Sequence, residues 1–164
     1  MTVPYDSKSR FFVVSKSSLN DIADGSFIGT AVAPDPDGTF TSTEVHIFAP
    51  ALRGTGEGFT QMGGSGQHMM ANSTVRTVAA PNMMANSTVR TVGSTEGGKT
   101  ITMTFPSGTK TIHIPSNVPI TYLEPGTKAA LTHGAHVRVV ALENGQVLTA
   151  KFVLVGKNGM VPPA

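Results

Sequence analysis

One order of short apolar segments occurs twice in this 164-residue chain, and this repeat limits the fold more than any other feature. An apolar strand, a polar turn, a glycine and two further apolar strands follow one another from residue 11 to 48, and again from 120 to 155. Gly25 of the first copy corresponds to Gly134 of the second, and Phe40, after the later turn, corresponds to Val147. The later turn is thus two residues shorter in the second copy. Such a repeat predicts two related modules built from short strands.

Turn residues separate these apolar segments. The pairs Asp37–Gly38 and Asn144–Gly145 are strong hairpin signals between the last two strands of each module. Ser18–Ile22 and Thr127–Leu131 each begin with a residue that can cap a helix, so each predicts a single helical turn.

The second module carries extra strands ahead of the shared order. Residues 99–105 place alternate apolar side chains on one face, and residues 110–114 return after a Pro-Ser-Gly turn. The first module lacks these strands, so its edges need a partner from the second module, from the spare repeat described below or from another chain. We therefore predict an all-β fold of two small OB-like β-barrel modules with one short helical turn each, the first incomplete. The predicted boundaries are 1–50 for the incomplete module, 51–68 for a Gly-rich linker and 69–164 for the complete module.

A literal repeat lies in the middle of the chain. The decapeptide Met69–Val78 recurs unchanged as Met83–Val92, fourteen residues later, which indicates a recent or engineered tandem duplication. Each copy ends in a Thr-Val-Arg-Thr-Val alternation that predicts a short strand. Two identical strands can compete for one position in a sheet, or the second copy can add an edge strand.

Composition excludes several classes of protein. Cysteine is absent, which rules out disulfide scaffolds, thiolate zinc sites and cysteine nucleophiles. The sequence has no run of 18 apolar residues, so it predicts no membrane-spanning helix. The net charge of +2 is too small to indicate nucleic-acid binding, but residues 1–60 carry a net charge of −3 and residues 97–164 one of +4. Complementary ends of this kind are expected to steer head-to-tail association of copies.

A Gly-rich loop between the modules is the first candidate site. Its backbone amides could cradle an anion with help from an arginine, although a linker that needs positive φ angles also explains the glycines. The loop lacks the Gly-Lys-Ser/Thr ending of a P-loop. The candidate residues are Arg53, Gly54, Gly56, Glu57 and Gly58.

Methionine and histidine side chains cluster after this loop, and thioethers with imidazole suit Cu(I). Methionine as flexible packing material is the alternative interpretation. Two of the six residues belong to the second decapeptide and are therefore not independent of the first. The candidate copper ligands are Met62, His68, Met69, Met70, Met83 and Met84.

Other residue types point to weaker hypotheses. His133 and His136 have a spacing typical of metal ligands but no obvious third partner, and His46 and His113 are predicted to face outward from strands. No Gly-x-Ser-x-Gly elbow supports a serine hydrolase. Lysine and arginine side chains of the second module support a weak hypothesis of nucleic-acid binding. Trp is absent, and few aromatic rings are available for stacking on bases. These basic residues are Lys99, Lys110, Lys128, Arg138 and Lys151.

Several motifs resemble those of uncharacterised exported bacterial proteins with repeated OB-like domains of unknown function. They are Asp24–Ala31, Glu44–Phe48, Arg53–Gly58, Met70–Val75 and Val155–Pro163. The resemblance implies a periplasmic or extracellular location and supplies no activity. Such proteins usually begin with a signal peptide and two strands not found here, and they carry one copy of the repeated strand. The chain is therefore expected to be truncated at its start, with no signal peptide in the sequence.

The leading functional hypothesis is a non-enzymatic β-barrel binding or self-assembly protein of the bacterial envelope. Its expected partner is a second copy of the chain or another envelope protein, and neither nucleic acid nor a membrane span is expected. The alternatives are a periplasmic copper-binding protein and a small hydrolase acting on esters or lactones. Copper is the one cofactor that these hypotheses include.

Overall fold

The computed structural model describes residues 3–61, 69–79, 97–105, 108–144 and 147–163. The chain divides into two compact units: unit 1 contains residues 1–16 and 122–164, and unit 2 contains residues 17–121. Strands dominate both units, which confirms the all-β prediction. Within the described ranges, no helix has the length and apolar character needed to cross a membrane.

The described residues form ten strands and four short 3₁₀ turns. The strands are β1 (Tyr5–Lys16), β2 (Phe27–Pro34), β3 (Phe40–Phe48), β4 (Gly58–Gln61), β5 (Met69–Ala79), β6 (Lys99–Phe105), β7 (Gly108–Ile114), β8 (Ile120–Gly126), β9 (Val137–Asn144) and β10 (Val147–Gly156). The 3₁₀ turns are Leu19–Asp21, Pro50–Leu52, Lys128–Ala130 and Lys157–Gly159. The first and third of these turns lie in the two segments predicted to form helical turns.

Five strands of unit 2 pair in a closed circuit. β2 pairs antiparallel with β3 and β5, β5 pairs with β6, β6 pairs with β7, and β7 returns to β3 as a parallel neighbour. β4 adds a short antiparallel pairing to β5. The predicted alternation in β6 and β7 is confirmed, because the apolar side chains of one face are buried. These side chains are Ile101, Met103, Phe105, Ile112 and Ile114.

Unit 1 is an open sheet in the order β8–β1–β10–β9, with β8 contributing residues from 122 onward. β1 pairs in parallel with β10, placing Phe11 opposite Val153. β10 pairs antiparallel with β9. Among the buried side chains of unit 1, Ala150, Val153 and Val155 form a cluster that packs against partly buried neighbours that include Phe11.

The hairpins β2–β3 and β9–β10 share an irregularity. One residue of the second strand is left without a partner in the ladder, Thr43 in β3 and Lys151 in β10, which is a β-bulge. The bulge also shows how the first strands of the two hairpins correspond. Ala31 of β2 and Val140 of β9 occupy equivalent positions next to the bulge. The sequence repeat aligns Thr43 with Ala150 instead, so the structure shifts the correspondence of the second strands by one residue.

The compact units differ from the predicted modules 1–50, 51–68 and 69–164. Strands β5 to β7, placed by prediction in the second module, supply neighbours to β2 and β3 in unit 2. β1, placed in the first module, instead pairs with β10 in unit 1. The predicted linker contains β4. Alternation and turn signals indicate where strands begin and end, but they do not specify which distant strands pair.

The turn before β2 depends on one carboxylate. Asp21 accepts hydrogen bonds from the Ser17 hydroxyl at 2.8 Å and from the Ser18 backbone amide at 2.9 Å. These bonds, the Ser17 hydroxyl first, hold the pKa of Asp21 below its usual value of 3.8. Since the folded-state pKa is lowered, the stabilisation is present above the unfolded value and is lost as pH falls through the folded value.

We expect Asp21→Asn to lower the melting temperature of unit 2 at pH 7 by a small amount. The difference from the unsubstituted chain should shrink as the pH falls below 3.8, because the carboxyl group then becomes neutral in both states. Differential scanning calorimetry between pH 3 and 7 measures this difference. Asp24→Asn in the neighbouring turn is the control for loss of one negative charge. A difference between Asp21→Asn and the unsubstituted chain that does not change with pH would contradict the assignment.

Candidate strand-docking site

β9 lies at the end of the strand order of unit 1. It pairs with β10 and, in the part of the chain that the structure describes, with no other strand. Its counterpart in unit 2, β2, has β3 on one side and β5 on the other. The position beside β9 that corresponds to β5 therefore holds no described strand. An edge of this kind presents a row of backbone N–H and C=O groups that can pair with an added strand.

Apolar side chains are exposed along this edge strand. Val137 is 45% exposed, Val139 38% and Val140 41%, although valine is among the residues most often buried. Neighbouring side chains of a strand alternate between its faces, so Val139 and Val140 expose apolar surface on opposite sides of the sheet. Exposed valines on an edge strand are typical of an interaction surface rather than of an ordinary solvated edge.

The start of β9 is held in place by local hydrogen bonds. Before β9, Thr127 caps the 3₁₀ turn Lys128–Ala130: its side chain accepts a hydrogen bond from the backbone N–H of Ala129 at 3.3 Å. The Gly156 backbone amide of β10 donates to the carbonyl of His136 at 2.9 Å. The Arg138 guanidinium donates to the carbonyl of Pro163 at 2.6 Å. The last two contacts join the start of β9 to β10 and to the residues that follow β10.

The predicted histidine pair lies directly before β9. His133 is in the turn and His136 precedes the strand, and both are exposed. Within the described part of the chain, no group of three or more His, Cys, Asp or Glu side chains is arranged to hold a metal ion. A zinc site at these histidines therefore has no third ligand of these types in the described structure.

The Gly-rich loop is tied to its own unit. The Arg53 guanidinium donates to the carbonyl of Gly25 at 2.6 Å. The backbone amides of Thr55 and Glu57 donate to carbonyls within the loop, at 3.0 and 3.4 Å. Three glycines take the positive φ angles expected of a tight loop: Gly54 at 83°, Gly56 at 61° and Gly58 at 150°. Anion binding by this loop stays a prediction.

The predicted copper ligands fall largely outside the described residues. Four of them lie outside the described residues: Met62, His68, Met83 and Met84. The other two, Met69 and Met70, are described only through the backbone pairing of β5. The copper hypothesis therefore stays a prediction.

The five predicted basic residues divide between the units. Lys99 and Lys110 belong to unit 2, where Lys99 donates to the carbonyl of Ile22 at 3.2 Å and Lys110 lies 5.8 Å from the centre of the Phe40 ring. Lys128, Arg138 and Lys151 belong to unit 1. The contacts described for Lys99, Lys110 and Arg138 each join the cation to a residue of its own unit. A nucleic-acid interface at these residues stays a prediction.

A buried polar chain in unit 2 was missed by sequence reasoning. His46 bridges two neighbours: its Nε2 lies 3.4 Å from Glu44 Oε1, and its Nδ1 lies 2.6 Å from the Thr121 hydroxyl. Glu44 is 5% exposed, His46 7% and Thr121 1%. The prediction that His46 faces outward is therefore wrong. The i, i+2 spacing of Glu44 and His46 places both side chains on one face of β3, which was the available signal.

This chain of acid, imidazole and hydroxyl has the order of a catalytic triad, but its geometry does not suit catalysis. A nucleophile must reach its substrate. The Thr121 hydroxyl is almost fully buried and also lies 3.3 Å from the carbonyl of Val45, to which it can donate. The network instead links β3 to the start of β8 within unit 2, and the hydrolase hypothesis gains no support from it.

The arrangement defines a class of protein: a β-protein with one closed circuit of strands and one open sheet that ends in an apolar edge strand. No family model, curated protein or solved structure matches this chain.

Proposed function

We propose that this is a non-enzymatic β-barrel binding protein that self-assembles by adding a strand from a second copy along β9. The observation that carries the proposal is the contrast between the units: β2 has β5 as its second neighbour, whereas β9 has no second neighbour among the described strands. Strand addition at a sheet edge supplies backbone hydrogen bonds for affinity and side-chain contacts for specificity. The exposed valines of β9 supply the apolar contacts.

We further propose that unit 2 is an OB-like barrel whose strands appear in a permuted order along the chain. Five strands, a closed circuit and one parallel pair agree with the five-stranded Greek-key architecture of that class. Under this proposal unit 1 is the incomplete copy, and a strand added to β9 extends it towards the complete form. Location outside the cytoplasm is proposed on the resemblance of the sequence motifs to exported proteins.

Substitution at the edge strand tests the assembly proposal. We expect Val139→Lys to weaken self-association roughly tenfold, because a lysine on an edge strand opposes pairing with another strand. Size-exclusion chromatography with light scattering over a concentration series measures the association. Val161→Lys is the matched control, because Val161 is 65% exposed and lies outside β9.

The control should associate as the unsubstituted chain does. A chain that stays monomeric at every concentration tested would overturn the proposal. Equal weakening by both lysine variants would show that added charge, rather than the β9 edge, controls association.

A further inference from the structure

We propose that one end of unit 1 is a docking surface for a lipid membrane with anionic headgroups. The inference goes beyond assembly at β9 and starts from an asymmetry of charge. Unit 1 carries seven lysine and arginine side chains against three acidic ones, a net charge of +4, whereas unit 2 carries five against seven, a net charge of −2. The fold gathers this positive charge because β1 brings Lys8, Arg10 and Lys16 to the sheet that contains β10.

Exposed apolar side chains lie in the same unit. Among the residues whose burial the structure describes, every large apolar side chain that is exposed belongs to unit 1. Exposed apolar groups beside positive charge bind a protein to an anionic membrane, because the apolar groups enter the interface while the cations meet the headgroups. The exposed side chains are Tyr5, Leu131, Val137, Val139, Val140 and Val161.

Three of these side chains lie at the end of the sheet where β10 stops, and we call them the apolar patch: Leu131, Val137 and Val161. Their exposed fractions are 36%, 45% and 65%, in that order. Val137 begins β9 and lies one residue from His136, whose carbonyl accepts the backbone N–H of Gly156. Val161 follows Met160, whose carbonyl packs against Gly156, the last residue of β10.

The turn that carries Leu131 is fixed to this end as well. The Leu131 backbone amide donates to the carbonyl of Lys128 at 3.1 Å. Ala130 and Ala135 pack against the buried cluster that contains Val155, the residue opposite the first residue of β9. The apolar patch is therefore carried by the elements that close one end of the sheet.

Lysine side chains lie at the same end, and we call them the patch lysines: Lys16, Lys128 and Lys157. Lys16 is the last residue of β1, whose Val14 pairs with Gly156. Lys128 begins the 3₁₀ turn before β9, and Lys157 directly follows Gly156. All three side chains are exposed.

Little negative charge offsets the patch lysines. Lys157 Nζ lies 3.8 Å from Glu124 Oε2, in an exposed contact that is weak in water. In the part of the chain that the structure describes, neither Lys16 nor Lys128 forms an ion pair. A lysine beside an anionic bilayer strengthens binding about fivefold. The patch lysines thus supply charge for headgroup phosphates while the apolar patch enters the layer beneath them.

A membrane surface fits this end better than a polynucleotide or a second copy. Single-stranded nucleic acids stack on exposed rings, and the exposed ring named above, Tyr5, pairs with Ala150 away from this end of the sheet. An isologous contact between two copies at this end would set the patch lysines of both against one another.

Vesicle co-sedimentation with the full chain tests the inference. We expect the chain to sediment with vesicles made of equal parts of phosphatidylglycerol and phosphatidylcholine, and to stay in solution with vesicles of phosphatidylcholine alone. Added salt should weaken the binding, because it screens the headgroups. The triple variant Lys16→Gln, Lys128→Gln and Lys157→Gln should bind roughly a hundredfold more weakly, since each lysine contributes about fivefold.

The matched control removes three cations from the other end of the same sheet: Lys8→Gln, Arg10→Gln and Lys151→Gln. Arg10 pairs with Phe152, whereas the patch lysines lie around Gly156. Both triple variants lower the net charge of unit 1 from +4 to +1. The control should bind far more tightly than the patch variant. Equal weakening would overturn the inference, because net charge alone would then control binding.

The apolar patch is tested with the double variant Leu131→Ser and Val161→Thr. It should weaken binding to the anionic vesicles roughly tenfold, through a loss that salt does not screen. Unchanged binding by this variant, together with displacement of the vesicles by heparin, would indicate a general site for polyanions and overturn the inference. An absence of sedimentation with anionic vesicles at low salt would overturn it too. Assembly at β9 is measured without lipid, so either proposal can fail alone.

Discussion

Gly98→Ala should lower the free energy of unfolding of unit 2 by about 4 kcal/mol, because two costs act together. Gly98 has a φ angle of +116°, a conformation that residues with a side chain rarely adopt. A Cβ atom at this position would also lie 2.0 Å from the carbonyl oxygen of Ile114. That oxygen belongs to backbone paired with β6, where Ile114 lies opposite Lys99, so relief of the overlap must disturb the ladder. Urea denaturation followed by circular dichroism measures the loss.

Gly108→Ala is a closely matched control. Gly108 has a φ angle of +117°, but a Cβ atom there would meet nothing within 4 Å. Its substitution should cost about 2 kcal/mol, the conformational cost alone. The difference between the two variants therefore isolates the overlap with Ile114. Equal losses for the two variants would show that the chain relieves the overlap without cost.

His46→Leu should cost about 3 kcal/mol, because it removes the ring that bridges two buried polar groups. Glu44 loses the contact with Nε2 and Thr121 loses the contact with Nδ1, while both residues stay buried. The loss of one contact of a buried carboxylate is costly, since the interior does not replace it with water. Thermal and urea unfolding followed by circular dichroism measure the effect.

Two further variants make this result specific. His113→Leu alters a histidine on β7 that is only partly buried and lies 3.5 Å from the Thr100 hydroxyl, so it should cost much less. The double variant Glu44→Met with His46→Leu should recover part of the loss, because it removes the buried charge together with its partner. A double variant that unfolds as the sum of the two single losses would contradict the role of His46 as the partner of Glu44.

Local features of this fold could be predicted from the sequence because their causes are local. Alternation in residues 99–105 and 110–114 indicates two strands with a buried face, and both are present with that face buried. The Asp37–Gly38 turn joins β2 to β3 as its sequence indicates, with Gly38 at a φ angle of +85°. Ser18 and Thr127 begin the two predicted helical turns.

The choice of strand partners could not be predicted from the same signals. β3 pairs with β7, and β1 pairs with β10, as parallel neighbours that are distant in sequence. Nothing in the alternation of β1 distinguishes β10 from β2 or β3 as its neighbour, because each offers a similar backbone ladder. The predicted modules accordingly group each strand with its neighbours in sequence. In the structure, β1 instead pairs with β10 in unit 1, and β5 and β7 pair with β2 and β3 in unit 2.

The candidate site was only partly visible in the sequence for a related reason. The decapeptide and the prediction of an incomplete module both point to strand pairing, but the incomplete sheet is the one containing β9 rather than the one containing β2. Three valines of β9 are exposed because, among the described strands, β9 has a neighbour on one side only: Val137, Val139 and Val140. Apolar residues on a strand are expected in a core, so a sequence pattern alone classifies these valines as buried.

The parallel pairing of β1 with β10 has a consequence for the order of folding. β1 ends at Lys16 and its partner begins at Val147, so the ribosome delivers the whole of unit 2 between them. Unit 2 can assemble while the chain is still being synthesised, but unit 1 must wait for residues near the carboxyl end. Its high contact order makes this closure slow. During that interval the strand β1 lacks its parallel neighbour, so the nascent chain exposes one edge of β1 to pairing with other strands.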